Sequence, residues 1–437
     1  MRSPYISNTE LDQKAMLEAT GAASIADLFN DIPSQFRNPP LKLPAPLAEL
    51  DLKREMGALA KQNSSVDDYA CFLGAGAYNH FIPGIVRTVT SRSEFLTSYT
   101  PYQPEISQGT LQAMYEFQTM VCELTGMEVA NDGMYDGATA LAEAALMACR
   151  LTRRSTVAVL ETVSPRYREV LETYVAPQNI AVMTTPAGAN KVDAQSACLI
   201  VQSPNYFGYV EQLSSLAKAA HASGALLVVS IDPISLGLFK PPGEYGADIV
   251  VGEGQSLGSS LNCGGPYLGL FACKQEYLRQ MPGRIVGKTV DSKGRKGFVL
   301  TMQTREQHIR REKATSNICT AETLVALAST VSMAALGKKG LQEVAETCYH
   351  KAHYAAAQIA ATPGFSLPFK GVFFKEFVIK CPKPPAELNR KLLRRKIIGG
   401  LDIDNLVPNG MLVCVTEMNT REQINSLVSG LKEASAR

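Results

Sequence analysis

The sequence predicts an α/β fold, with a large domain built on a mostly parallel sheet flanked by helices and a small C-terminal α+β domain. Three observations carry this. Between residues 155 and 252 short apolar strands alternate with helices, in the order STVAVL, SPRYREVLETYV, IAVMTT, ACLIVQS, QLSSLAKAAHASG, LLVVSI and ADIVV. That alternation is the signature of a parallel sheet covered on both faces. The strand Leu226–Ile231 ends in Asp232, and the strand 248–251 runs into a Gly-rich loop; ligands in such sheets bind beyond the carboxyl ends of strands. From residue 341 onward the pattern changes to a strand (VFFKEFVIK), a basic helix (PPAELNRKLLRRKI), a strand (MLVCVTE) and a helix (TREQINSLVSGLKEA). The division expected is an arm over 1–65, a large domain over 66–340 and a small domain over 341–437.

At 437 residues, 46% apolar and 19% charged, the composition is that of a globular protein. A net charge of +2 gives no reason to expect nucleic acid. Ten cysteines without a CxxC pair are expected to be reduced core thiols, which suits a cytoplasmic protein. The N-terminal MRSPYISNTELDQ has no apolar signal core. The apolar run Thr323–Gly337 falls short of the ~20 residues of a membrane span and is expected to be a buried helix.

Taken in order, SNTELDQKAMLEATG has the marks of a capped helix: Thr9 to cap, Glu10 and Asp12 in the first turn, Gly21 to end it. SIADLFNDIP suggests a second short helix. DIPSQFRNPPLKLPAP, with five prolines in sixteen residues, excludes regular structure, and a helix over Leu47–Lys61 follows. The whole is expected to be an arm around a partner subunit, the bland alternative being a loose linker. SEFLTSYTPYQPEISQG is dense in Tyr and Pro, so Tyr99, Tyr102 and Gln103 sit either in a site-lining loop or in a packed surface turn. An amphipathic helix over Ile106–Leu124 stops at Gly126. The alanine-rich Asp136–Arg150 is a strong helix.

A strand-end Asp followed about two dozen residues later by a strand and a Gly-rich loop is the layout of a pyridoxal phosphate (PLP) enzyme, in which the Asp pairs with the pyridinium nitrogen and a Lys forms the Schiff base. The helix at 136–150 then stands where an N-terminus faces the cofactor phosphate. Asp232 and the loop are present, but no Lys occurs between Lys240 and Lys274, and Gln255 stands where the Schiff-base Lys is expected. An amide cannot form an imine. The loop Asn262, Gly264, Gly265 is a weaker candidate, its N–H groups available to phosphate.

Residues 284–313 carry nine Lys or Arg against three Asp or Glu and are expected to be a surface loop leading into a helix. The segment either receives an acidic partner or is a solvated face. His350 and His353, three apart on a helix, are read as a solvated pair, with no metal site. Arg310, Arg311 and His308 can meet phosphate or simply line a helix surface. There is no G-x-x-x-x-G-K-[ST] or H-E-x-x-H.

SYTPYQPEISQG, LQAMYEFQTMVCELTGMEVAN and above all TREQHIRREKATSNICT resemble the glycine cleavage system P-protein family, glycine dehydrogenase (decarboxylating), and within it the separate subunit 1 of the two-subunit form. The resemblance runs from Tyr5 to the C-terminal helix. It implies PLP-dependent transferase fold type I and an α2β2 assembly with a homologous subunit 2 that carries PLP covalently. The implied reaction takes glycine and the lipoyl group of H-protein to CO2 and an aminomethylated dihydrolipoyl arm. Catalysis by a Lys of this chain is then not expected, and Asp232 is expected to be a relic. Tyr99, Tyr102 and Gln103 become candidates for lining a shared interface pocket, where they orient glycine or the cofactor ring and limit water. Two alternatives stay open: a scaffold or docking subunit without catalytic contacts, and a self-sufficient PLP decarboxylase or aminotransferase using Lys240 or Lys274.

Overall fold

In the computed structural model, which describes residues 5–188, 191–262, 264–318 and 321–436, the β-branched runs assemble into one seven-stranded sheet. Its strands are β1 (Val129–Ala130), β2 (Thr156–Leu160), β3 (Ala181–Thr185), β4 (Ser196–Ser203), β5 (Leu226–Ile231), β6 (Ile249–Glu253) and β7 (Gly269–Cys273). They lie in the order β1-β7-β6-β5-β4-β2-β3. The stretch from β6 to β3 is parallel, and β7 runs antiparallel to both β6 and β1. β4, β5 and β6 are apolar and buried along nearly their whole length, as strands covered on both faces must be. In this register Ser203 pairs with Ile231 and Ile231 with Gly252, so the carboxyl ends of β4, β5 and β6 open at one edge.

The helix Gly137–Thr152 covers one face, and all of residues 140–149 are buried. Its alanines permit close approach to the sheet. Asp136 caps it by accepting from Thr139 N at 2.8 Å, while its own N–H reaches Thr139 Oγ1 at 3.2 Å. The helix Gln108–Thr125 ends at Gly126 with φ 69, a left-handed stop that glycine adopts at no steric cost.

The long helical stretch Thr323–Ala360 extends well beyond the expected apolar run. It breaks at Gly337 (φ 62, ψ 179), a backbone state that disfavours any other residue. By length and composition alone it is the one helix among the described residues that is apolar enough to cross a membrane. Its later half instead buries Ala352, Ala355, Ala356 and Ile359 in the C-terminal core. There Glu376–Lys380 pairs antiparallel with Gly410–Cys414, which also pairs with Leu401–Asp402. The helix Arg421–Ala436 packs on them, its start closed by Thr420 and Gln423, each bonding the other's backbone N–H.

Some expectations fail. Residues 285–301 form a β-hairpin, Ile285–Val290 with Lys296–Thr301, in place of the expected loop, and the helix that follows it is the short turn Gln307–Arg310. Val286 sits in a small core with Leu111 and Met114, against which Phe298 and Leu300 pack. Alternate residues thus face inward, although glycines and charges dominate the composition.

The chain divides into two units, Met1–Ser64 and Ser65–Arg437. The first has helices Glu10–Thr20 and Glu49–Ala60, the former closed by the Thr9–Asp12 capping box and by Gly21 in the left-handed region. SIADLFNDIP is a single 3₁₀ turn over Ile25–Phe29 in place of a helix. No described residue of this unit is buried, and Leu11, Phe36 and Leu41 are 80%, 64% and 75% exposed.

Candidate active site

Beyond the carboxyl ends of β4, β5 and β6 lies a cavity lined among others by Tyr78, Tyr167, Asp232, Glu253, Lys375 and Glu376. Asp232 caps the turn after β5, accepting from Ile234 N at 3.1 Å. Its other oxygen is 2.7 Å from Nζ of Lys375, a lysine only 1% exposed. Lys375 precedes the strand Glu376–Lys380, which carries it from the C-terminal part of the chain into this cavity. Its ammonium also donates to Nε2 of His80 at 2.9 Å and lies 3.5 Å from the centre of the Tyr78 ring. With Nε2 accepting, His80 carries its proton on Nδ1 and donates to Glu417 Oε2 at 2.7 Å.

Charge and burial are balanced along this chain of groups. Burial opposes the Lys375 charge, but Asp232 and the nearby Cys414 and Cys348 more than offset it and hold the ammonium above its ordinary range. Burial, then the Lys375 charge, push His80 down, so its ring is neutral at pH 7. Burial raises Glu417, yet the bonds from His80 and from Phe81 N–H bring it down to about 2. Burial pushes Glu376 up to about 6, against the N–H of Ala75 and the hydroxyl of Tyr78 that it accepts from.

Gln255 is fully buried and fully used. Its Oε1 accepts from Tyr78 N at 2.8 Å, and its Nε2 donates to Tyr78 O at 3.0 Å and Ser259 O at 2.7 Å. It pins the 76–80 segment to the turn after β6. Beside it, Glu253 accepts backbone N–H bonds from Gly137 (2.9 Å), Gln255 (2.9 Å) and Leu268 (3.1 Å). Burial pushes this carboxyl up to about 7 against those three donors. The residues present do not fit PLP: the partner of a ring nitrogen is held by Lys375, and the N-terminus of the helix Gly137–Thr152, where a phosphate would rest, is held by Glu253. Asp232, placed among the weaker pocket candidates, is therefore a partner of Lys375.

A second cluster joins two of the stretches that the sequence singled out. Tyr102, 48% exposed, accepts a hydrogen bond from Arg284 at 3.2 Å, and the guanidinium lies 5.5 Å from its ring centre. His308 meets the same ring edge-on at 5.6 Å, and Glu306 is within 3.7 Å of Arg284 and 3.5 Å of His308. Gln108 ties this loop to the hairpin, donating to Pro104 O and Phe298 O and accepting from Phe298 N. Tyr99 is 76% exposed, and Gln103 is exposed too. Behind Arg284, Asp132 N donates to Arg284 O at 2.9 Å. Burial pushes the Asp132 carboxyl up to about 8, with Thr323 and Arg284 pulling the other way. The loop at 262–265, of which Cys263 lies outside the described residues, borders an open basin with Tyr135, Asp136, Tyr267 and Glu322. Asn262 is occupied there, donating to Gly265 O at 3.0 Å.

The remaining candidates find structural roles. Lys274 is ion-paired to Asp248, and Lys240 to Glu244 at 2.9 Å, so neither reaches the cavity beside Asp232. His353 bonds Tyr349 O and stacks on Phe373 at 3.9 Å. Arg310 donates to Thr304 O at 3.1 Å. Among the described residues, His80, Cys348 and Glu417 place metal-type donors within 4.8 Å of one another. They are bonded among themselves, with Cys348 Sγ 3.3 Å from Glu417 and a proton on His80 Nδ1, which leaves no lone pair there for an ion.

The sheet order and the cavity at its carboxyl edge define PLP-dependent transferase fold type I. Structures of that kind superpose over most of the chain: a sphingosine-1-phosphate lyase from Burkholderia pseudomallei (16% identity, TM-score 0.64, 92% of this chain and 94% of that one) and a Lactobacillus brevis glutamate decarboxylase (13%, 0.67, 91% and 94%). These likenesses concern the fold alone. A glycine decarboxylase (P-protein) of the glycine cleavage system, in inhibitor-bound form, matches with a TM-score of 0.94 at 44% identity over 99% of this chain and 100% of that one. The glycine cleavage system P-protein family pattern matches residues 3–431, and the chain belongs to that family. Curated relatives include probable glycine dehydrogenase (decarboxylating) subunit 1 of Desulfitobacterium hafniense, 53% identical over 98% of this chain and 99% of that one. The Thermomicrobium roseum protein of the same name is 51% identical over the same shares.

Sequence reasoning missed Lys375, Glu253, His80 and Arg284. One signal was present: Lys375 and Glu376 are adjacent charges in the otherwise apolar VFFKEFVI, and a charge in a buried strand requires a partner.

Proposed function

We propose that this chain is subunit 1 of a two-subunit glycine dehydrogenase (decarboxylating). PLP is carried on a lysine of the homologous subunit 2, and this chain walls the shared pocket in an α2β2 assembly in the cytoplasm. Glycine is the substrate, and the lipoyl arm of H-protein takes the aminomethyl group as CO2 leaves. The observation that supports this reading is that, among the described residues, the two groups at the expected lysine position and beside Asp232 are already engaged: Gln255 by the Tyr78 backbone, and Lys375 by Asp232 and His80. The names of the relatives supply the reaction, and "subunit 1" supplies the partner.

In this reading Tyr99, Tyr102 and Gln103 face the partner's pocket. Tyr102 has the firmest support, since Arg284 and His308 fix its ring. It orients substrate and keeps water out. The arm before residue 65, with its exposed leucines and phenylalanines, covers a partner surface.

Borohydride trapping with PLP, read by intact mass and peptide mapping on the chain alone and on its complex with subunit 2, tests the assignment. The expected pyridoxyl adduct falls on the partner only; a stoichiometric adduct on one lysine of this chain would sink it. Tyr102→Phe is expected to reduce turnover of the complex about 10- to 100-fold while assembly is unchanged, the scale of a positioning loss. Unchanged turnover in Y102F and in a Tyr99→Ala companion would make the chain a scaffold.

A further inference from the structure

The two polar ends of a PLP site both exist in this chain, and each is already paired inside the protein. At one end the carboxylate of Glu253 meets three converging backbone N–H groups, one of them in the first turn of a 16-residue helix. Such convergence at a helix N-terminus is a phosphate site by construction. The fit is close: a Cβ on Gly137 would lie 2.6 Å from the Tyr167 hydroxyl and 2.9 Å from Glu253 N. At the other end Asp232, the carboxylate that would receive a pyridinium N–H, receives the Lys375 ammonium at 2.7 Å. Tyr78 covers that ammonium with its ring, and Gln255 holds Tyr78 in place through two backbone bonds.

We propose that Glu253 and Lys375 are built-in substitutes for the phosphate and the ring nitrogen of PLP, so that this chain's own site is closed to the cofactor whether free or covalently bound. The inference rests on the reading that the partner carries PLP and goes beyond it. Loss of the Schiff-base lysine alone would leave a pocket able to hold PLP without a covalent bond, whereas here both charged ends are satisfied from within. Glu253 is half-buried and stands on the phosphate donors; Lys375 is supplied by a different part of the chain. Either group alone excludes one end of the cofactor.

The test is chemical rescue in the full chain, alone and in complex. Glu253→Ala frees three N–H donors. Its thermal midpoint is expected to fall, and 10–50 mM inorganic phosphate (on the order of a weak helix N-terminal site) to restore part of it, where chloride at matched ionic strength does not and the wild type responds to neither. The E253A/K375A chain is expected to bind one pyridoxamine 5′-phosphate in equilibrium dialysis, under conditions in which the wild-type chain binds none. A folded E253A chain indifferent to phosphate would overturn the substitution, as would wild-type chain that binds pyridoxamine 5′-phosphate. If E253A does not fold, the cofactor-free wild-type complex decides. One pyridoxamine 5′-phosphate per pair of subunits is expected, and two would overturn the proposal. A borohydride adduct on this chain would overturn the reading beneath it. An adduct confined to the partner, with phosphate-blind E253A, would overturn only the built-in substitution.

Discussion

Lys375→Met is expected to destabilise the chain by about 3–5 kcal/mol, the usual consequence of removing one partner from a buried ion pair. The methionine fills most of the space but leaves the Asp232 carboxylate, paired at 2.7 Å in the native protein, without a cation. It also removes the donor to His80 Nε2. The effect therefore comes from the stranded Asp232 charge more than from the missing packing of the lysine stem, and a second substitution shows it. Asp232→Asn/Lys375→Met, which takes away both charges, is expected to recover at least about half of the loss. Thermal midpoints at fixed protein concentration measure both. A double variant as unstable as the single one would mean that Lys375 acts through its packing against Tyr78 and Phe374, and not through the ion pair.

Asp132→Asn is expected to stabilise the protein, by an amount that depends on pH. The Asp132 carboxyl is raised by burial to about 8, from 3.8 for the free group. The folded chain thus holds a proton that the unfolded chain releases near pH 4. A carboxyl raised in this way contributes its full stability below the unfolded value and loses it as pH climbs toward the folded value, at about 1.4 kcal/mol per pH unit. Asparagine presents the same shape with no proton to hold. Its carbonyl oxygen can take the bond that Thr323 Oγ1 now gives Oδ2 at 3.1 Å. The amide N–H₂ takes the place of Oδ1, which has no hydrogen-bond partner among the described residues, and Asp132 lines a cavity with Ser98 and Thr110. Variant and wild type should have equal stability near pH 4 and diverge to roughly 3–5 kcal/mol by pH 8. Denaturation curves that stay parallel from pH 4 to pH 8 would show that Asp132 is ionised in the folded protein.

The parallel sheet was legible in the sequence because its signals are local. β-branched runs between turn residues marked β2 to β6, Asp136 and Gly126 marked helix ends, and the lone Asp232 after an apolar strand marked the edge where a site opens. Gln255 was found by asking what a lysine position held. What stayed hidden is made of long-range pairings: Lys375 meets His80 across 295 residues, and Glu253 meets Gly137 across 116. No periodicity encodes such a meeting. The hairpin at 285–301 was hidden for another reason, since its inward residues, Val286, Phe298 and Leu300, are diluted by glycines and charges on the outer face.

The pairing of Asp232 with Lys375, and of Glu253 with backbone N–H groups, also bears on nutrition. A pocket that must be filled by a vitamin-derived ligand is stable only in proportion to the supply of that ligand. Here the filling groups are encoded in the gene and arrive with the fold. On the built-in substitution proposed above, this chain keeps its stability in a cell short of vitamin B6.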